Sequence, residues 1–236
     1  MIAAFERPGS AELGLGEIAD RAGLPLSTTH RLVGELAEWG GFERTDSGRY
    51  RLGMRLWRLG VRAPAPQRLR EAARPYLNDL VELTRQNVHL AVREGLTALY
   101  LERLSARGAV PIVSQVGGRL PLHATGVGLV LLAHAPIEVY DELIAAGPRK
   151  YLPNTHTTDA ELRPRLAEVR ALGLAVSVEE MTELTYSAAA PLRDATGTVV
   201  AAVSIIAHPE ERHKPEHATA VRVAARGISR ALGWRG

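Results

Sequence analysis

The sequence predicts an α+β protein with two domains, on three observations. With 236 residues, 46% of them hydrophobic, the chain is long enough for two domains that each bury a core. Residues 1–60 have the pattern of short helices followed by a β-hairpin. In the remainder, strand patterns meet through turns, with helix patterns between them, which favours an antiparallel sheet layered by helices over a parallel βαβ array.

Two short helices are predicted near the N-terminus. Apolar residues recur at helical spacing over residues 15–22, and Gly23 suits the left-handed conformation that ends many helices. A second helix follows, with Ser27 as the expected N-cap and an apolar face over residues 29–36. Two helices joined by a tight turn that contains glycine are typical of a helix-turn-helix.

A β-hairpin is predicted directly after the second helix. Residues 42–45 and 49–52 form two short alternating runs around the turn Asp46-Ser47-Gly48. An ordinary helical pair is the alternative, but a helix-turn-helix followed by a basic hairpin indicates a winged helix that binds DNA. The side chains expected at bases and phosphates are Ser27, Thr28, His30, Arg31, Arg44, Arg49 and Arg51.

Positive charge is concentrated after this hairpin. The net charge is only +3, yet residues 47–70 contain seven arginines and no acidic residue. Such a run creates a positive field suited to phosphates, and a solvated helix face explains it equally well.

A connection between the domains is expected between residues 60 and 75. A helical segment from Met54 is interrupted at Ala63-Pro64-Ala65-Pro66, where the prolines disfavour helix, and helix resumes over residues 67–86. The predicted organisation is a DNA-binding domain over 1–60, a linker helix region over 61–75 and an effector-binding and oligomerisation domain over 76–236.

Strands and helices are interspersed through the C-terminal part of the chain. The expected strands are residues 88–92, 99–101, 111–116, 187–192 and 199–207. The expected helices are residues 124–135, a helix that begins at the capping box Thr158 to Glu161, and residues 215–232.

Several classes of function are disfavoured. The absence of cysteine excludes disulfides, thiolate catalysis and cysteine-ligated zinc. An enzyme or a DNA-independent ligand-binding module is the alternative class, but no catalytic or nucleotide-binding motif occurs, and we expect no cofactor. His213 and His217 have metal-ligand spacing without a third ligand, on a face expected to be exposed. No signal peptide or membrane span is recognisable, so a soluble cytoplasmic protein is expected.

Over nearly its whole length the chain resembles the IclR family of bacterial transcriptional regulators. The matching segments, in the family's order, are residues 15–32, 48–53, 73–77, 88–92, 118–125 and a signature that runs from Gly173 to Asp194. The resemblance implies a winged-helix domain, a linker helix and a C-terminal effector domain whose central antiparallel sheet is similar to GAF and PAS sensors. It also implies dimers or tetramers on palindromic operator DNA, controlled by small carboxylates or aromatic acids.

The resemblance further implies an effector pocket. Ser177, Ser187 and Ser204 align with positions that contact ligand in the family, and Ile206 aligns with a fourth, usually polar, position. The loop Gly117-Gly118 is expected to offer backbone N–H groups to an anion. The family often has Asp and Cys in place of the first two serines, so a less charged pocket is expected. Each serine taken alone is more often structural, whereas three hydroxyls among apolar residues fit a ligand site.

Overall fold

The computed structural model describes residues 1–6, 10–62 and 64–236. It divides into two compact units, Met1–Gln67 and Arg68–Gly236. The predicted interruption of helix at residues 63–66 includes Ala63, which lies outside the described residues. No helix within these ranges is long and apolar enough to cross a membrane.

The first unit contains the predicted helix-turn-helix and hairpin. Its elements, in chain order, are α1 (Leu15–Ala22), α2 (Leu26–Glu38), β1 (Phe42–Arg44), β2 (Tyr50–Leu52) and α3 (Met54–Gly60). The two strands pair antiparallel, and Gly23 ends α1 in the left-handed conformation with φ 64°. The core contains Ile18, Val33 and Phe42, one from each of α1, α2 and β1.

The predicted N-cap of α2 is wrong by two positions. The helix begins at Leu26 after Pro25, whose φ of −56° and ψ of 144° lead directly into the first turn. Ser27 therefore lies inside that turn and is exposed. The hydroxyl that contributes is the buried one of Thr29, which donates to the Pro25 carbonyl at 3.0 Å.

The next helix, α4, covers Pro64–Thr84, so the division between the two units falls within it. The expectation that helix resumes only after both prolines is wrong. A proline in the first turn of a helix loses no hydrogen bond, because the N–H groups there have no partner inside the helix.

The second unit is built on one antiparallel sheet, as the sequence predicts, and the sheet has six strands. The strands are β3 (Asn87–Glu94), β4 (Thr97–Leu104), β5 (Arg119–Pro121), β6 (Ala175–Val178), β7 (Tyr186–Arg193) and β8 (Val199–Ala207). Their order across the sheet is β5-β4-β3-β8-β7-β6.

Helices cover both faces of this sheet. They are α5 (Gly126–Ala133), α6 (Ile137–Ala145), α7 (Asp159–Leu172) and α8 (Pro215–Ala231). One core joins α4 and α8 to alternate sheet residues such as Leu90 and Val203. The other joins α5, α6 and α7 to the opposite face, where small residues such as Ala91 and Ala202 allow the helices to approach closely. The unit therefore has three layers.

The strand expected over residues 111–116 is absent, since residues 109–115 have no regular structure and the edge strand is β5. Side chains hold this segment in place of a strand ladder. Asn87 Nδ2 donates to the Val110 carbonyl at 2.8 Å, and Arg103 Nη1 donates to the Ser114 carbonyl at 2.8 Å. Within this segment Ser114 is buried, whereas Val113 and Val116 are exposed.

Two further features differ from the sequence interpretation. The helix α6 and the strand β6 were not expected as separate elements. The face of His217 was expected to be exposed, but this residue is buried, and its Nε2 lies 3.4 Å from Glu211 Oε2. The ring stacks near Tyr186, with 6.4 Å between centroids, which gives His217 a packing role.

Candidate DNA-binding surface and effector pocket

The outer face of α2 carries the residues proposed to contact DNA. Ser27, His30 and Arg31 are exposed and Thr28 is half-buried. Thr29 and Val33 are buried, so α2 turns its apolar side to the core and leaves its polar side outward. This is the arrangement that a helix requires to enter the major groove.

The hairpin arginines and Arg31 are engaged in exposed contacts within the first unit. Arg31 Nη1 lies 2.5 Å from Glu35 Oε1, and Arg51 Nη2 lies 2.9 Å from Glu43 Oε2. The guanidinium of Arg44 lies 5.9 Å from the centroid of the Tyr50 ring. Exposed pairs of this kind contribute little to stability, and phosphates can replace the carboxylates.

Arg49 is held more firmly than the other hairpin arginines. Its Nη2 lies 2.6 Å from Glu17 Oε2 and donates to the Glu12 carbonyl at 3.0 Å. The Gly14 N–H and then Arg49 lower the pKa of Glu17 below its ordinary value. Arg49 therefore joins the hairpin to the start of α1.

A cavity in the second unit brings four of the predicted effector residues together. Ser177 on β6 pairs with Ser187 on β7, and Ser187 pairs with Ile206 on β8. Ser204 lies two residues along β8, on the same face, opposite His89 of β3. The register alone thus collects these side chains from four neighbouring strands, and all of them line a cavity of about 60 Å³.

The structure does not bring Gly117 and Gly118 into this lining. Their N–H groups donate to the carbonyls of Tyr100, at 2.8 Å, and Gln115, at 2.9 Å. Both amides therefore already have backbone partners in this structure, and their use for an anion stays a prediction.

The sequence interpretation missed the buried polar pair on the opposite wall. His89 Nε2 lies 2.8 Å from the Ser114 hydroxyl, and the Tyr100 ring contacts the imidazole edge-on, with 4.9 Å between centroids. Burial lowers the pKa of His89 to about 3, with a smaller contribution from the charge of Arg103, so the ring is neutral at neutral pH. One signal in the sequence could have indicated this residue, because His89 lies two residues before Ala91 and so faces the same side of the strand.

The first turn of α5 reaches the same cavity. The Thr125 hydroxyl accepts from the Gly128 N–H, while in the described chain the N–H groups of Gly126 and Val127 have no partner. A Cβ at Gly126 would lie 2.5 Å from the Ser187 hydroxyl, so a side chain here would force Ser187 to shift. Free N–H groups and the helix dipole together favour a negative group at this point.

Three hydroxyls around the cavity are also free to bind. Within the described ranges, the side chains of Ser177, Ser187 and Ser204 make no hydrogen bond, although the first and last of these residues are buried. Their oxygen atoms line the cavity without a protein partner, so they can donate to or accept from a bound ligand. The described residues hold no group of three or more histidine and acidic side chains suited to a metal ion.

The cavity is lined on one side by residues 112–114 and is too small for an aromatic ring as it stands. A volume of about 60 Å³ accommodates only a few water molecules. Ile112 and Val113 line it from the segment that side chains fasten to the sheet. A ring-sized ligand therefore requires part of this lining to move.

The buried His89 predicts a specific pH dependence of stability. Between about pH 3 and 6.5 the unfolded chain binds a proton at this residue that the folded chain does not. The free energy of unfolding should rise with pH across this window, by up to about 1.4 kcal/mol per pH unit from this group, and level off above it. We expect His89→Gln to reduce that slope in urea unfolding between about pH 5 and 6.5. The exposed His213→Gln serves as the control, and an equal slope in wild type and His89→Gln would contradict the assignment.

Two family profiles match the chain. The IclR helix-turn-helix domain matches residues 3–45, and the bacterial transcriptional regulator IclR C-terminal domain matches residues 63–230. The glycerol operon regulatory protein of Streptomyces coelicolor is 34% identical over 95% of this chain and 91% of its own length. The repressor AllR of Klebsiella pneumoniae is 31% identical over 98% of this chain and 86% of its own length.

Solved structures agree with this assignment. An IclR homolog from Microbacterium hydrocarbonoxydans, complexed with 4-hydroxybenzoate, superposes with a TM-score of 0.92 at 35% identity, and the match covers 98% of this chain and 95% of that one. The Thermotoga maritima IclR superposes with a TM-score of 0.75 at 27% identity, over 98% and 95% of the two chains. The chain belongs to the IclR family: it is a transcriptional regulator, not an enzyme, with a DNA-binding helix-turn-helix and a C-terminal effector-binding domain.

Proposed function

We propose that α2 and the hairpin contact operator DNA, and that the cavity in the second unit binds a small organic or aromatic acid that changes operator affinity. The observation that carries the effector proposal is the free first turn of α5 beside three unpaired serine hydroxyls. The functional division remains the one expected from sequence, with residues 1–60 for DNA, 61–75 as the connection and 76–236 for effector and self-association.

The proposed DNA contacts divide into base readout and phosphate binding. Ser27, Thr28, His30 and Arg31 lie in the first half of α2, the part of a recognition helix that meets base edges. Arg44, Arg49 and Arg51 lie on the hairpin, where Arg49 and Arg51 can exchange their carboxylate partners for a phosphate. The exposure of Arg31 and its single weak partner support a role in reading bases.

Arg31→Ala and Arg49→Ala should therefore weaken DNA binding in different ways. For Arg31→Ala we expect about a tenfold loss on the operator, with little loss on scrambled DNA. For Arg49→Ala we expect a loss on both DNAs and a reduction of the salt slope by about 0.9. Fluorescence anisotropy on a fragment of the upstream region, at several salt concentrations, measures both effects.

Arg212→Ala, which removes an exposed arginine from the second unit, is the charge-matched control and should behave as wild type. The thermal midpoint of Arg49→Ala must be checked, because this residue also contacts Glu17 and the Glu12 carbonyl. Unchanged affinity and specificity in both variants would refute the assignment of α2 and the hairpin as the surface that contacts DNA.

The lining of the cavity favours an acid bound by hydrogen bonds without an ion pair. It contains no lysine or arginine, and its histidine is neutral at neutral pH. The available hydrogen-bond donors are the amides of Gly126 and Val127 and the hydroxyls of Ser177, Ser187 and Ser204. Amides at a helix N-terminus and hydroxyls can hold a carboxylate without a cation. The 4-hydroxybenzoate in the similar Microbacterium structure supports this class of ligand.

Filling the cavity should abolish the response to effector. In a thermal-shift screen of small organic and aromatic acids, wild type should be stabilised by at least one acid. Ser187→Phe should lose that shift, because a ring at this position competes with the ligand for the space beside the first turn of α5, and its thermal midpoint without ligand must show that the variant still folds. Ser47→Phe, at the exposed turn of the hairpin, is the control. A normal response in Ser187→Phe would show that the effector does not bind in this cavity.

We propose that the protein self-associates as a dimer or tetramer, and the first unit offers a surface for it. No residue of α3 is buried, and its apolar side chains Met54, Trp57 and Leu59 are exposed, Trp57 by 64%. Exposed apolar side chains clustered on one short helix mark an interaction site, and aromatic side chains contribute most at such interfaces.

Trp57→Ser should shift the oligomer equilibrium towards the monomer, by about tenfold or more in dissociation constant. Sedimentation velocity over a range of concentrations measures this shift. Ile137→Ser, which removes an exposed apolar side chain from α6, is the control and should behave as wild type. An oligomer distribution that Trp57→Ser leaves unaltered would exclude α3 from the interface.

A further inference from the structure

A second cavity in the C-terminal unit is lined by three arginines. It lies where the C-terminal end of α7, strand β7 and the second half of α8 meet, and has a volume of about 370 Å³. Arg193 comes from β7, and Arg222 and Arg226 come from α8, one helical turn apart. We call this space the arginine cavity. Its lining includes no acidic residue and no residue of the proposed effector pocket.

The three guanidinium groups have little to neutralise them. Arg193 donates to the Gly197 carbonyl at 2.7 Å, and Arg222 donates to the Leu172 carbonyl at 3.0 Å. Arg226 is exposed and makes no polar contact within the described chain, and none of the three forms an ion pair there. The Arg222 Nε–H is buried without any hydrogen-bond partner. Such orphaned donors on charged groups are rare, because they lose their hydration and gain nothing.

A purely structural role explains only part of this arrangement. Arg222 caps the C-terminal end of α7 through Leu172, where a cation is favoured by the helix dipole. That contact leaves its Nε–H unused, and it does not account for two further arginines at the same cavity. Like charges that converge without a counter-charge repel one another, so the arrangement is stabilised when an anion joins it.

The remaining walls indicate what kind of anion fits. Leu172, Ala190, Pro191 and Ala225 are apolar or small, and the half-buried indole of Trp234 forms a flat side. Guanidinium forks bind the paired oxygens of carboxylates and phosphates, and an aromatic wall accepts an organic body. We propose that the arginine cavity binds a small organic anion, through a carboxylate or a phosphate, at a site separate from the effector pocket.

Isothermal titration calorimetry on the full chain tests this proposal. The probes are inorganic phosphate and benzoate, titrated at constant ionic strength maintained with sodium chloride. Both are measured in wild type and in Ser187→Phe, in which the effector pocket is filled. The expected result is saturable binding of one anion per chain in Ser187→Phe, and the same site in wild type, where benzoate can occupy the effector pocket in addition. A response to phosphate alone identifies a phosphate site, and a response to benzoate alone identifies a carboxylate site.

Arg226→Ala should weaken that binding by about tenfold or more, since it removes a charged donor that has no structural contact. Arg230→Ala removes the same charge from the same helix one turn further on, outside the cavity, and should leave the affinity unchanged. Arg226→Lys should bind with intermediate affinity, because it keeps the charge and loses the bidentate hydrogen bonding of the guanidinium. The proposal is overturned if neither probe binds saturably, if Arg226→Ala and Arg230→Ala weaken binding equally, or if Ser187→Phe abolishes it.

Discussion

The contact between the first turn of α5 and the sheet determines the chemistry of the second unit. Gly126 approaches β7 so closely that a Cβ would lie 2.5 Å from the Ser187 hydroxyl, and a Cβ at Gly128 would lie 2.4 Å from the Leu122 carbonyl. Two glycines thus let a helix backbone pack where side chains normally intervene. The result is a pair of free N–H groups beside hydroxyls from three strands, at one cavity. A preorganised polar site of this kind suits a small ligand with a negative end.

The two faces of the six-stranded sheet have different roles. One face packs against α4 and α8 through large aliphatic side chains and supplies stability. The opposite face carries Ser177, Ser187 and Ser204 in register and is covered by α5 and by residues 109–115. That covering segment is fastened by a few side-chain hydrogen bonds without a strand ladder, so it can move at lower cost than the sheet. Ligand entry, which needs more space than the cavity has, is therefore expected to displace the segment and leave the sheet intact.

Much of this architecture follows from local patterns in the sequence. The turn at Gly23, the hairpin around residues 46–48 and the capping box at Thr158 were predicted because each depends on a few neighbouring residues. The grouping of the three serines was inferred from family resemblance, and its physical cause, the register of β6, β7 and β8, is not visible in any single segment. The segment over residues 111–116 was misassigned because its β-branched residues favour a strand locally, whereas its contacts come from the distant side chains of Arg103 and His89. The buried His89, the free first turn of α5 and the arginine cavity all depend on contacts between distant residues, which no local pattern encodes.

The most direct test of this account is the amide signal of Gly126 during binding of an acid. The protein is labelled with ¹⁵N-glycine and titrated with whichever organic acid raises its thermal midpoint most. The account predicts that the Gly126 resonance shifts more than those of Gly117 and Gly118, whose N–H groups already donate to backbone carbonyls. An acid that binds and stabilises the protein while leaving the Gly126 signal in place would contradict the account, and so would the failure of every acid to bind.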